Sequence, residues 1–219
     1  MRIPAASGAV GVPERLVAAA VVGYVIGTAP SADVAARLAT GGATDLRSTG
    51  SGNPGAANAM AALGTGWGWA VLVADVAKGA VACVAGGRVA GGAGADVAGA
   101  AAVVGHCYPV WNRFRGGKGV AVSAGQCLAT FPAYFPIDLT VAYAAVRLRG
   151  RALPATAVAS AVWVGCGVLW WRRAWPNGWA PVPGPSLPLS AAVTSAVILS
   201  RFATSARRAR AAARVDAAP

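Results

Sequence analysis

Two segments of this 219-residue sequence combine glycine with cationic residues, and both are candidates for binding phosphate. The first, residues 47–58, reads RSTGSGNPGAAN, and the second, residues 114–119, reads FRGGKG. Glycine lets successive backbone N–H groups approach an anion closely, and Arg or Lys supplies a full charge. Apolar residues follow both segments, so a helix beginning there would add the positive end of its dipole. The pattern predicts a phosphate site, and the alternative is a pair of flexible turns that carry orientation charges.

The second segment is not a nucleotide-binding P-loop. Asn112 stands where that motif needs its first glycine, and Gly119 follows Lys118 where Ser or Thr should coordinate magnesium. Nucleotide hydrolysis is therefore not indicated. The chain has a single histidine, and its four cysteines show no close metal-type spacing, so we expect no metal site and no cofactor.

Four ionisable residues lie inside or beside apolar runs: Asp33, Asp75, Lys78 and His106. Such residues are costly in a membrane unless they face the interior of a helix bundle, pair with each other or line a wet cavity. Asp75 and Lys78 are three residues apart and would share one helix face, which favours an ion pair. His106 either accepts a proton or orients a phosphate near the second loop, or it caps and packs a helix end.

The composition indicates the elements that must position these residues. Only 12% of the residues are charged, 56% are hydrophobic and the mean hydropathy is +0.55, which is too little polar surface for a soluble globule. We therefore predict an all-α, polytopic transmembrane bundle of about seven helices. They are centred on residues 16–36, 67–87, 95–111, 119–131, 134–147, 154–171 and 187–202.

The distribution of positive charge predicts the orientation. The net charge of +12 is spread between apolar runs and does not form a nucleic-acid-binding face. The positive-inside rule places the N-terminus outside and the C-terminus in the cytoplasm of a multi-pass protein of the cell membrane. Residues 1–203 would form one transmembrane domain and residues 204–219 a basic cytoplasmic tail. The tail carries no motif, so truncation after Arg201 is expected to leave the activity largely intact.

Several segments together are similar to those of one known family. They are residues 27–31 (GTAPS), 45–58 (DLRSTGSGNPGAAN), 75–79 (DVAKG), 105–110 (GHCYPV) and 114–121 (FRGGKGVA). Over about residues 20 to 125 the sequence resembles the bacterial acyl-phosphate:glycerol-3-phosphate acyltransferases of the PlsY type. The resemblance implies transfer of a fatty acyl group from acyl phosphate to the 1-hydroxyl of glycerol 3-phosphate, giving lysophosphatidic acid and phosphate.

The resemblance also implies roles for residues of the two loops. Lys118 and Arg47 would bind phosphate and stabilise charge, Ser31 would hydrogen-bond substrate, and either His106 or an oxygen of the donor phosphate would act as the base. Substrate-binding residues would be Gly50, Ser51, Gly52, Asn53, Gly55, Asn58, Arg115, Gly116, Gly117 and Gly119. The expected partners are acyl phosphate, glycerol 3-phosphate and membrane lipids.

Three positions differ from the family's motifs. Ala57 replaces a threonine, Ala61 replaces an arginine, and Phe202 replaces a histidine in the motif of the last helix. Two alternatives therefore stay open. The protein could be a non-catalytic phosphate- or lipid-binding membrane protein derived from this family, or an acyltransferase that uses another phosphorylated acceptor.

Overall fold

The structure, a computed structural model, describes residues 11–147 and 152–216, and these ranges contain helices but no strand. The elements are α1 (Val12–Gly27), α2 (Ser31–Thr40), α3 (Ala56–Leu63), α4 (Thr65–Cys107), α5 (Val120–Thr130), α6 (Phe135–Arg147), α7 (Ala152–Arg173) and α8 (Ser186–Asp216), with a 3₁₀ turn at Val110–Asn112. Residues 1–10, 148–151 and 217–219 lie outside the described residues, and they include the start of the predicted domain and the end of the predicted tail.

Four helical segments are long and apolar enough to cross a membrane. They are Val12–Thr40, Thr65–Asn112, Ala152–Arg173 and Ser186–Arg208. A helix satisfies its own backbone hydrogen bonds, so it is a stable way to cross a lipid core that offers no partners. The prediction of an all-α transmembrane bundle is therefore confirmed.

The 43-residue helix α4 doubles back on itself. Its backbone leaves the helical conformation at Ala90 and at Gly91, where φ is +64°. A Cβ on Gly99 would lie 2.7 Å from Sγ of Cys83, although 16 residues of straight helix span about 24 Å. Residues 65–89 and 92–107 are thus two arms of a hairpin, which match two of the predicted helices.

Helix α1 packs closely on the second arm of α4. A Cβ on Gly23 would lie 2.2 Å from the Ala98 carbonyl oxygen, and one on Gly27 would lie 2.1 Å from that of Ala102. Glycines four residues apart let two backbones touch in a membrane, where lipid gives helices no hydrophobic drive to associate. This packing places the end of α1 beside the end of α4.

The structure differs from the predicted helices at two prolines. The run 16–36 is broken, because Pro30 lacks an N–H and restricts the residue before it, so α1 ends at Gly27 and α2 begins at Ser31. The run 95–111 ends at Cys107, two residues before Pro109. A short helix, α3, also follows the first loop. With the two arms of α4 counted separately, the described residues form nine α-helical segments, where about seven were predicted.

Helix α8 runs parallel to the second arm of α4. Near its start, Oγ of Ser186 donates to Asp96 (2.6 Å), and further along, Nε of Arg201 donates to the Gly117 carbonyl (3.0 Å), just beyond the end of α4. The predicted division at residue 203 stays a prediction and falls inside α8, which continues to Asp216. The ends of α1, α4 and the middle of α8 consequently meet at one end of the bundle.

Candidate active site

A buried carboxylate connects three polar side chains at this end of the bundle. Asp75 is 2% exposed; it accepts a hydrogen bond from Oγ of Ser31 and lies 2.8 Å from Nζ of Lys78. Nδ1 of His106 lies 3.7 Å from the same carboxylate oxygen. The predicted Asp75–Lys78 pair is present, and it also contacts Ser31, which the break at Pro30 places in the first turn of α2.

Lys78 is held by further contacts. Nζ donates to the Ala29 carbonyl (3.0 Å) and to Oγ of Ser31 (3.3 Å). A buried ammonium with a carboxylate, a carbonyl and a hydroxyl around it has its hydrogen bonds satisfied. Lys78 therefore anchors the break between α1 and α2 to α4, a contact that spacing along α4 did not predict.

Arg47 joins the two glycine-rich loops. Its guanidinium contacts Asp33 through two nitrogens, at 2.5 and 3.0 Å, and its Nε donates to the Arg115 carbonyl (2.9 Å). The hydrogen bond to Asp33 raises the pKa of Arg47. Nδ2 of Asn112 donates to the same carboxylate (2.7 Å). These contacts bring the first loop, the second loop and α2 to one site.

The second loop uses its backbone N–H groups inside the protein. Gly116 donates to the Cys107 carbonyl (3.1 Å) and Gly117 to that of His106 (3.2 Å). A Cβ on Gly117 would lie 2.2 Å from Nε2 of His106, so this glycine lets the loop lie against the imidazole. These two amides are therefore already paired within the protein, and the predicted binding of substrate by the loop glycines stays a prediction.

The first loop is likewise braced from within. Nδ2 of Asn58 donates to the carbonyls of Leu46 (2.8 Å) and Thr49 (2.9 Å), and its Oδ1 accepts from the Ser51 N–H (3.1 Å). Asn58 is 5% exposed. The Gly52 N–H donates to the Thr49 carbonyl (3.1 Å). The Asn58 side chain therefore stabilises the conformation of the first loop through these hydrogen bonds. The predicted contact of Asn58 with substrate stays a prediction.

Two adjoining cavities open at this site. The smaller, of about 20 Å³, has room for roughly one water molecule, and Ser31, Lys78 and His106 are part of its wall. The larger, of about 310 Å³, we call the arginine cavity; it is lined by Arg47, Gly52, Pro54, Phe114, Arg115, Gly116, Arg201 and Arg208. Arg47, Pro54 and Gly116 line both. The larger cavity has four guanidinium groups and no carboxylate in its wall, so it suits an anion.

The cavities gather some of the predicted site residues and not others. Seven of the predicted site residues line at least one of the two cavities: Ser31, Arg47, His106, Gly52, Arg115, Gly116 and Gly117. The other seven line neither cavity: Gly50, Ser51, Asn53, Gly55, Asn58, Lys118 and Gly119. Gly119 immediately precedes α5 and has a φ of +86°, a left-handed conformation that glycine adopts without strain. This glycine therefore allows the turn at the start of α5. The roles of all these residues stay predictions.

Lys118 lies beside the site, against α8. Its Nζ is 4.5 Å from the centre of the Phe202 ring. Burial and the nearby charge of Arg201 lower the pKa of Lys118. The ammonium is thus close to the arginine cavity without lining it.

Arg201 and Arg208 are cavity residues that the sequence did not single out. Arg201 donates to the carbonyls of Gly116 (2.5 Å) and Gly117 (3.0 Å), which holds the second loop against α8. By the resemblance, Arg201 and Arg208 stand at the two arginines of the family's motif for the last helix, R-H-x-x-N-I-x-R-L, and that match is the signal that could have found them. No cluster of three or more His, Cys, Asp or Glu suited to a metal occurs among the described residues.

Comparison with known proteins supports these observations. A family model described as glycerol-3-phosphate acyltransferase matches residues 17–212. The glycerol-3-phosphate acyltransferase of Exiguobacterium sibiricum is 39% identical over 128 residues, which are 58% of this chain and 61% of the relative. That of Bacillus velezensis is 42% identical over 115 residues, 52% of this chain and 58% of the relative. The matched region thus spans about three fifths of the length of these two relatives.

A solved structure is similar over most of the chain. The crystal structure of PlsY (YgiH), an integral membrane glycerol 3-phosphate acyltransferase, in its glycerol 3-phosphate form, has a TM-score of 0.70 and 26% identity, covering 90% of this chain and 92% of that one. Its lysophosphatidic acid form has a TM-score of 0.69. The matching family model, the relatives and this integral membrane neighbour agree with the apolar helices described above. The chain is a membrane protein that belongs to the glycerol-3-phosphate acyltransferase family.

Proposed function

We propose that this protein transfers a fatty acyl group from acyl phosphate to the 1-hydroxyl of glycerol 3-phosphate, forming lysophosphatidic acid for phospholipid synthesis. The observation that carries the proposal is the arginine cavity, which adjoins the cluster of Ser31, Asp75, Lys78 and His106. Both substrates carry phosphate, and the four guanidinium groups supply positive charge for such groups, although Arg47 and Arg201 each already use one pair of N–H donors within the protein.

The reaction needs the two substrates held in contact. The glycerol 3-phosphate hydroxyl attacks the carbonyl carbon of the acyl phosphate, a new C–O ester bond forms, and the bond to the phosphate oxygen breaks. The hydroxyl proton passes to His106 or to an oxygen of the departing phosphate, which leaves as inorganic phosphate. Holding two reactants in attack geometry contributes about 7–11 kcal/mol to lowering such a barrier.

The residues of the site divide this work. Arg47, Arg115, Arg201 and Arg208 bind phosphate and offset the negative charge of the leaving group. Ser31, oriented by Asp75, hydrogen-bonds the acceptor or the developing oxyanion. Lys118 adds charge from the α8 side of the second loop, and Asn53 and the remaining glycine-loop residues complete the acceptor site.

The same proposal includes an orientation. The acyl tail stays in lipid between the apolar helices while the phosphate groups enter from the cytoplasm. Arg15 donates to the Val89 carbonyl (2.8 Å) at the hairpin bend of α4, whereas Arg47 and Arg201 lie at the other end of that hairpin. The cation-rich end would face inward, with the N-terminus outside and the C-terminus in the cytoplasm of a cell-membrane protein.

A product assay tests the function directly. The purified protein in nanodiscs, given palmitoyl phosphate and glycerol 3-phosphate, should form lysophosphatidic acid detectable by mass spectrometry. Arg201→Gln should lower kcat/KM by about 10²-fold through lost charge stabilisation. The matched control is Arg88→Gln, an exposed residue of α4 about 15 Å along that arm from Lys78, and it should match wild type.

The outcome also separates the alternatives. No lysophosphatidic acid from wild-type protein, alongside an active member of the family, would refute the proposal. Saturable glycerol 3-phosphate binding without product would then identify a non-catalytic binding protein. Acylation of a different phosphorylated alcohol in a competition mixture would identify another acceptor.

A further inference from the structure

Phe202 and Lys118 form a contact that the family motif does not explain. The resemblance places Phe202 where the family's motif has histidine. Nζ of Lys118 lies 4.5 Å from the centre of the Phe202 ring. A cation within about 6 Å of an aromatic centroid is attracted by the negative face of the ring. This side-chain pair connects the second glycine-rich loop with α8.

The environment of Lys118 makes this attraction important. The ammonium is partly buried, and the charge that acts on it most is that of Arg201, one residue before Phe202. Arg201 is itself fixed, because it donates to the carbonyls of Gly116 and Gly117. The Lys118 ammonium and the Arg201 guanidinium are both positive and repel each other. The attraction of the Phe202 ring opposes this repulsion and favours the position of the ammonium beside Arg201 over one in open solvent.

The ring of Phe202 is held in place from behind. Phe202 packs against the buried cluster that includes Cys107, Val122 and Ile198, which come from α4, α5 and α8. Packing against this cluster restricts the position of the Phe202 ring, whereas the lysine ammonium sits on a flexible four-carbon stem. The packed ring of Phe202 therefore determines where the Lys118 ammonium lies.

We infer that Phe202 is a positioning residue, which holds the Lys118 ammonium beside the arginine cavity so that its charge acts on substrate phosphate. The inference rests on the proposed function for the nature of the substrate. Phe202 touches no reacting atom, and its effect on turnover is exerted through the position of the Lys118 ammonium.

Substitutions at Phe202 test the effect on turnover. Phe202→Leu keeps an apolar side chain against the buried cluster but removes the ring, and should lower kcat by about 2- to 30-fold, the range that a cation–π contact accounts for. Phe202→Tyr and Phe202→Trp keep a ring and should restore kcat. Fluorinated phenylalanines of nearly the same shape should lower kcat in step with the number of fluorine atoms, because fluorine weakens the negative face. Equal kcat across that series would overturn the inference.

A second measurement does not need turnover. The chain has two lysines, Lys78 and Lys118, so selective ¹³C-lysine labelling gives two sets of Hε/Cε signals, which Lys118→Arg assigns. The Lys118 signals should be shifted upfield by the ring current in wild type, and this shift should vanish in Phe202→Leu while the Lys78 signals stay unchanged. Absence of the upfield shift in wild type would overturn the inference. Inactive wild-type protein would instead count against the proposed function, and the NMR shift would still decide whether Phe202 positions Lys118.

Discussion

The Ser31 hydroxyl donates a hydrogen bond to the Asp75 carboxylate, although 44 residues separate them along the chain. The same carboxylate pairs with Lys78, so one buried group both orients the serine and neutralises a buried ammonium. These two tasks can be separated by mutation.

Asp75→Asn should lower stability and activity together. The change leaves Lys78, which is 7% exposed, without its counter-ion, and breaking a buried pair in this way costs about 3–5 kcal/mol. The double variant Asp75→Leu with Lys78→Met should recover much of the thermal stability but not the acyl transfer, because Ser31 then has no acceptor at position 75. Full activity in the stable double variant would contradict the role given to Asp75. Thermal unfolding and product formation are measured in the same detergent.

Arg208→Gln should raise the KM for glycerol 3-phosphate by about tenfold, because it removes one guanidinium from the arginine cavity. Arg207→Gln changes the adjacent exposed arginine, which lines neither cavity, and is the matched control. Equal KM values for the two variants would contradict the assignment of Arg208.

The cavity also changes an expectation drawn from the sequence. Truncation after Arg201 was expected to leave activity largely intact, yet it removes both Phe202 and Arg208. We now expect the truncated protein to lose most of its activity. A truncation after Asp216, the last described residue of α8, should be active, and the two proteins are compared at equal amounts of folded material.

Gly117→Ala should disturb the site through His106. The added Cβ would lie 2.2 Å from Nε2 of the imidazole, so the ring or the loop must move. Displacing a group of the site by about 1 Å can reduce the rate about 10²-fold. Gly66→Ala is the control, because no atom lies within 4 Å of its Cβ and alanine favours a helix. A Gly117→Ala enzyme with wild-type kcat/KM would exclude tight packing of the loop on His106 as a requirement.

The pH dependence of the reaction should report Lys118. Burial and the charge of Arg201 lower the pKa of this ammonium, and only its protonated form carries the charge that assists the reaction. Activity should therefore decline on the alkaline side below the value of about 10.4 that is usual for lysine. Lys118→Arg should move that decline to higher pH, because guanidinium stays charged. Identical alkaline limbs for the two proteins, after subtraction of spontaneous acyl phosphate hydrolysis, would assign the decline to another group.

Local sequence determined most of the helices and the nature of the loops. Apolar runs specify membrane helices because lipid offers the backbone no hydrogen-bond partners, and this holds for each segment independently of the others. The glycines Gly23 and Gly27, four residues apart on α1, are a local feature of the same kind, because small residues let helix backbones touch. The loops around Arg47 and Lys118 were recognisable because their combination of glycine and charge is itself local.

Tertiary structure alone decided which side chains share the site. The hairpin in α4 brings His106 next to Asp75, and the parallel course of α8 brings Arg201 to Gly116 and Gly117. Whether a backbone N–H of a loop is free to bind an anion also depends on carbonyl groups elsewhere in the chain. In the second loop, the Cys107 and His106 carbonyls accept hydrogen bonds from the N–H groups of Gly116 and Gly117. Such contacts join residues far apart in the chain, so no spacing within a single segment could specify them.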